Sequence, residues 1–440
     1  MQKRSHIWLI ASLSLLLLLA TGCGGAPGPT KAGSGNRPVV VSRHLYVLTG
    51  AASQDAGSTP AQIVSLQPGS NASVKLPNGL RASDPWLLYT AVPAQGSTRI
   101  SVIDLRTAGV LRSFTIPGTY ATDGTMFDHA VLSFDGHWLA LRALPASANQ
   151  TTIALLDTRA DRLVDTIRLS GDFDLDAVSP DGSRIYLLQR LHDGTSHYYV
   201  RLYQVDQHQL LNFTIVDKTE INEQMNGTAV ARQVAADGSK VFTLYINPAL
   251  NKAFIHILPL TGDYLGARCL DLPTGSDSSL LHFYTLALRT YADGTSTLYA
   301  ANGALGTAVT INVGFGDEVF NINVNAVAHF TPTKASVTAT ERARQLYNGA
   351  VLSQDGRVLF FAGLQGIWFV RTDQLSDKTP AFARYLANET FTSLAMSSDG
   401  ATLYAMEPAR GILTLDTHTG QAGPVLQTPV QAPWGIVWIE

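Results

Sequence analysis

One four-residue turn, repeated along the chain, constrains the fold more than any other feature. In VSPDGSRIYLL (178–188), Ser179-Pro180-Asp181-Gly182 precedes Ile185-Tyr186-Leu187-Leu188. A type I turn favours Ser or Asp at its first position, Pro at its second and Gly, which adopts positive φ cheaply, at its fourth. The β-branched, aromatic and aliphatic run that follows has the composition of a buried strand, so the element predicts a hairpin.

Variants recur at Ser133-Phe134-Asp135-Gly136, Ala235-Ala236-Asp237-Gly238, Tyr291-Ala292-Asp293-Gly294, Ser353-Gln354-Asp355-Gly356 and Ser397-Ser398-Asp399-Gly400, each followed by an apolar strand. A degenerate copy, Ala82-Ser83-Asp84-Pro85, lacks the Gly. The turn Asp residues lie 51, 46, 56, 56, 62 and 44 residues apart. Each period also holds a second hairpin, as in RISVIDLRTAGVLRSFTI (99–116), TIALLDTRADRLVDTIRL (152–169) and GILTLDTHTGQAGPVLQ (411–427). Four strands per period, with only strand signals between turns, predict the blades of an all-β propeller and not a helical solenoid.

The Ser-x-Asp-Gly-x-x-x-Leu/Val-Tyr/Phe turn and the Asp-x-x-x-Gly outer hairpin resemble those of bacterial YVTN and YncE-like propellers, and more loosely TolB-like and WD-repeat propellers. The resemblance spans roughly residues 43 to 440 and implies a fold, not an activity.

The two ends of the chain complement each other. PWGIVWIE (433–440) is a first strand without successors, whereas HLYVLTG (44–50), QIVSLQPG (62–69) and ASVKLP (72–77) supply the other three. Pairing them closes the ring and removes exposed edges. Seven turn junctions plus this mixed blade predict eight blades, with seven as the alternative. Within 301–346, TAVTINVGFGDEVFNINVNAVAHF reads as strands, and TPTKASVTATERARQ as an inserted loop or short helix.

The N-terminus has the layout of a secretory signal: Lys3 and Arg4, an apolar run from Ile7 to Ala20, then ATGCGG. It resembles a bacterial lipoprotein signal, which implies removal of residues 1–22 and lipidation of Cys23. Residues 23–42, rich in Gly, Pro and Ser, would then tether a propeller of residues 43–440 to a membrane in the cell envelope, on its extracytoplasmic face. Cleavage leaves a formal charge of −5, against −3 for the whole chain. No basic stripe is present, which argues against nucleic acid as a partner, and a monomer is expected. With Cys23 lipidated, Cys269 in GARCLDLP has no disulfide partner and reads as a small buried residue, with no His nearby in sequence.

No Gly-x-Ser-x-Gly, His-Glu-x-x-His, Cys-x-x-Cys-His or P-loop pattern occurs, and no catalytic residue is assigned. In GDFDLDAVSPDG (171–182), Asp172, Asp174 and Asp176 alternate with apolar residues, so a regular strand puts all three carboxylates on one face. They repel one another unless a cation, for which calcium is conceivable, or a basic side chain neutralises them, and the expected arrangement is solvated acids at the mouth of an inner strand. The residues seven places before the turn Asp residues include Asp128, Asp174, Asn348 and Thr392; with His129, Asp176 and Trp434 they are the candidates for a ligand site at the channel mouth. The expected function is non-catalytic binding or scaffolding of a protein, peptide or glycan, with no cofactor. The alternative is a propeller enzyme, lactonase-like or an oxidoreductase, with its active site at that mouth.

Overall fold

The computed structural model describes residues 45–49, 62–66, 73–122, 129–192, 197–217, 225–315, 320–332, 346–427 and 433–439. Residues 1–44, which include the expected signal segment, Cys23 and the expected tether, lie outside these residues, as do Asp128 and the polar stretch 333–345.

The repeated turn is closed by its own side chains. The Ser179 hydroxyl donates to Asp181 Oδ1 at 2.5 Å and accepts the Arg184 N–H at 3.0 Å. Asp181 Oδ1 also accepts the Ser183 N–H at 3.0 Å, and the Gly182 N–H reaches the Ser179 carbonyl at 3.0 Å. The same network recurs at Ser133, Ser353 and Ser397. Where Ala235 or Tyr291 opens the turn, Ser239 or Thr295 donates to the Asp instead, at 2.7 and 2.6 Å. Gly182 is required twice over: its φ is +72°, and a Cβ there would sit 2.4 Å from the Trp138 indole of the preceding blade.

The described strands form eight antiparallel sheets, each running from an inner strand outward. Blade 1 comprises Leu80–Arg81, Leu87–Ala94, Ser97–Asp104 and Gly109–Pro117; blade 2 comprises Ala130–Leu132, Trp138–Arg142, Gln150–Asp157 and Arg162–Ser170. Blade 3 begins with Asp172–Val178, Arg184–Arg190 and His197–Gln204, and blade 4 with Thr228–Val234, Lys240–Asn247 and Lys252–Pro259. Blades 5, 6 and 7 start at Tyr284–Thr290, Ala350–Leu352 and Ser393–Met396. Within 301–346 the stretch read as strands forms the outer pair of blade 5, Thr307–Phe315 and Phe320–His329, whereas 333–345 of the expected inserted loop or helix lie outside the described residues.

The closing blade is the expected one. Pro433–Ile439 is its inner strand, followed outward by Leu45–Thr49, Gln62–Leu66 and Ser73–Pro77. Leu45 lies opposite Ile439, and the Tyr46 hydroxyl donates across to the Leu105 carbonyl of blade 1. Arg81, on the inner strand of blade 1, donates from Nη1 to the Val437 carbonyl at 3.0 Å. Burial lowers the pKa of this arginine to about 10.

The core lies between blades and not at one centre. Leu139, Leu141 and Ala154 pack against Ala91, Ile100 and Ile116 at the junction of blades 1 and 2. Leu45, Val47 and Ile436 meet Tyr404, Met406 and Ile412 where the ring closes. Each blade therefore buries both faces against neighbours, and closure buries the two faces that an open array would expose.

Candidate functional site

The acidic strand Asp172–Val178 is the inner strand of blade 3, and every residue in it is buried. The expectation of solvated acids is corrected: the carboxylates are buried, and their charges are met by basic side chains, one of the two neutralisers the sequence allowed. Arg142, 5% exposed at the end of the second strand of blade 2, donates from Nη2 to Asp172 and from Nη1 to Asp174. Arg190 Nε donates to Asp174 Oδ2 at 2.5 Å, and His192 Nε2 lies 2.7 Å from Asp172 Oδ2. Arg232, on the inner strand of blade 4, donates to Asp176 Oδ1 at 2.6 Å.

The expectation that all three carboxylates share one face is corrected by the backbone. Leu175 pairs with Leu187 but Ala177 pairs with Tyr186, so Asp176 is the extra residue of a β-bulge. Asp172 and Asp174 interact with Arg142 and Arg190, whereas Asp176 turns to the Arg232 guanidinium of the next blade. Asp176 is fully buried, and its Oδ2 has no hydrogen-bond partner among the described residues. Among those residues, no group of three or more His, Cys, Asp or Glu side chains has metal-holding geometry.

The candidate mouth residues fall into two groups. The Arg142 N–H donates to the His129 carbonyl at 2.8 Å, which gathers His129, Asp172 and Asp174 around one arginine. On blades 6 and 7, the Tyr347 N–H donates to the Thr392 carbonyl at 2.9 Å, and the Leu394 N–H to the Asn348 carbonyl at 3.0 Å. Trp434 belongs to the neighbouring inner strand, which the Ile436 N–H ties to Ser393 Oγ at 3.0 Å. Asn348 is exposed and His129 half-buried, whereas Asp174 and Thr392 are 2% and 4% exposed and form part of the wall.

Sequence reasoning missed one spatial neighbour. Cys269, half-buried, lies directly opposite His256 across two strands of blade 4, with its Sγ 3.6 Å from Met225 Sδ. Twelve residues and a chain reversal separate the pair, so no local motif exposed it. His256 is buried, and loss of solvation holds its pKa below the ordinary imidazole value.

No protein-family model matches the chain, and no curated protein matches its sequence. Among solved structures, apo AztD from Citrobacter koseri superposes with a TM-score of 0.51 at 10% identity, covering 90% of this chain and 98% of that one. The Cps50 (Swd1) β-propeller domain of Myceliophteria thermophila gives 0.40 at 12% identity, over 78% of this chain and 93% of that one. TolB from Acinetobacter baumannii gives 0.32 at 15%, over 64% and 63%. The chain is an eight-bladed β-propeller of four-stranded antiparallel blades. At these identities the likeness extends to the fold alone.

Proposed function

We propose that this propeller is held at the extracytoplasmic face of a membrane by lipid on Cys23, and binds a protein, peptide or glycan at one end of its ring without catalysis. The observation that carries the reading is the commitment of the inner-strand carboxylates. Asp172, Asp174 and Asp176 all accept from Arg142, Arg190, Arg232 or His192. Carboxylates engaged in this way stiffen a wall and have little capacity left for proton transfer to a substrate. A rigid ring with exposed groups such as Asn348 at the start of its inner strands suits recognition.

The test places a photo-reactive residue at Asn348 or at Gln354, which is exposed on a turn at the far end of an inner strand, in the full chain expressed in a bacterial envelope. A discrete adduct from Asn348 that is absent from Gln354 supports binding at that end. No adduct from either position, together with lactone hydrolysis or substrate oxidation by the purified chain, would replace this reading with the propeller enzyme. Release of Cys23→Ala from the membrane fraction tests the anchor separately.

A further inference from the structure

The outermost strand of a blade has one unpaired edge, and natural sheets blunt such edges with charge, proline or shortness. Seven of the eight blades do so among the described residues. Lys75, Arg112, Arg162, Arg268, Arg384 and Pro424 each stand on the outer strand of a different one, and the outer edge of blade 3 carries two strands of only two residues each, Gln209–Leu210 and Met225–Asn226. The outer strand of blade 5 is different. Phe320–His329 runs for ten residues, FNINVNAVAH, without Asp, Glu, Lys, Arg or Pro.

Its inner side pairs with Thr307–Phe315, and no described strand pairs with its outer side. Asn321, Asn323 and Asn325 are exposed, as are Val324 at 38% and Val327 at 43%. The run also matches itself when reversed about Asn323. Set antiparallel against a second copy, Asn323 meets Asn323 of the partner subunit, Ile322 meets Val324 of the partner subunit, and Asn321 meets Asn325 of the partner subunit. Amide opposes amide and aliphatic opposes aliphatic in every row, with no charge to desolvate.

We propose that two copies of this chain join edge to edge here, antiparallel, about a two-fold axis at Asn323. The interface is isologous, so one strand supplies both halves and the assembly closes at two. The β-bulge at Asn325, where Ala326 pairs with Thr310 but Val324 with Ile311, ends the flat run and confines the ladder to residues 321–325. So short a ladder buries less than the ~1,200 Å² of a standard interface, so the dimer is weak and concentration-dependent. It departs from the monomer expected from the sequence.

Sedimentation velocity of the full chain, across roughly two decades of concentration around 100 µM, tests this. Wild type is expected to shift from monomer to dimer, and Asn323→Lys to weaken that association by ~10-fold or more by setting two ammonium groups face to face. Asn323→Cys supplies the register: a two-fold axis at this residue puts the two thiols opposite each other, so oxidation yields a cross-linked dimer above the background of Cys23 and Cys269. A wild-type monomer at every concentration, a dimer unaffected by Asn323→Lys, or no added cross-link from Asn323→Cys would each overturn the proposal. All the altered side chains are exposed, so loss of folding does not confound the result.

Discussion

Arg232 donates from Nη2 to Asp176 Oδ1 at 2.6 Å, joining the inner strand of blade 4 to that of blade 3, and the carboxylate is fully buried. The pair bridges two repeats that also meet through packed side chains such as Tyr186, Val200 and Tyr245, and the Tyr186 hydroxyl donates to the Pro259 carbonyl of blade 4 at 2.9 Å.

Removing one partner strands the other. Arg232→Ala leaves a buried carboxylate unpaired and is expected to lower unfolding free energy by about 3–5 kcal/mol, read from urea denaturation. The double variant Asp176→Leu/Arg232→Met removes both charges, and its loss should be much smaller. Equal losses in the two variants would mean that packing, and not charge, sets the cost.

The turn glycines separate backbone strain from crowding. Gly96 has φ +80° with nothing within 4 Å of an added Cβ, whereas Gly182 has φ +72° with the Trp138 ring at 2.4 Å. Gly96→Ala is expected to cost about 1–2 kcal/mol. Gly182→Ala should cost about 1–3 kcal/mol more, for the overpacked indole. Comparable melting temperatures for the two variants would show that crowding by the Trp138 indole adds nothing to the cost at Gly182.

Stability should fall with acid in two stages. Loss of solvation lowers the His256 pKa, so the stability that depends on its neutral form is present in full above the unfolded value of about 6.5 and declines as pH falls below it. The Ser397 hydroxyl and then the Ala401 N–H hold the Asp399 carboxyl below the usual range, as the Ser353 hydroxyl and Arg357 N–H do for Asp355. These depressed carboxyls contribute stability above the unfolded value of about 3.9, which is lost as pH falls through their folded values. A melting-temperature profile should show a shallow decline from about pH 6.5, reduced by His256→Phe, and a steeper one below about pH 4, reduced by Ser397→Ala.

Calcium titrated into the full chain is expected to give no heat and no rise in melting temperature, because Arg142, Arg190 and Arg232 already neutralise the acidic strand. A saturable heat that vanishes in Asp174→Asn/Asp176→Asn would establish a cation site there and reopen cation-dependent function.

What the sequence alone determined was local or additive. A Ser hydroxyl two residues before an Asp, and a Gly directly after it, close a turn using atoms only a few residues apart, so each turn could be recognised in isolation and the blades counted. Strand complementarity between the chain ends also required only counting. The site depended on long-range geometry. An unbroken ladder from Val178 and Ile185 would have put Leu191 opposite Asp172; the bulge at Asp176 shifts the register by one and puts Arg190 there. A one-residue shift moves every following side chain to the other face, and composition does not reveal where it occurs. Arg142 and Arg232 come from different blades, and Cys269 finds His256 only once two strands pair. Such contacts depend on which blades are neighbours and in what register, and only the closed ring decides that.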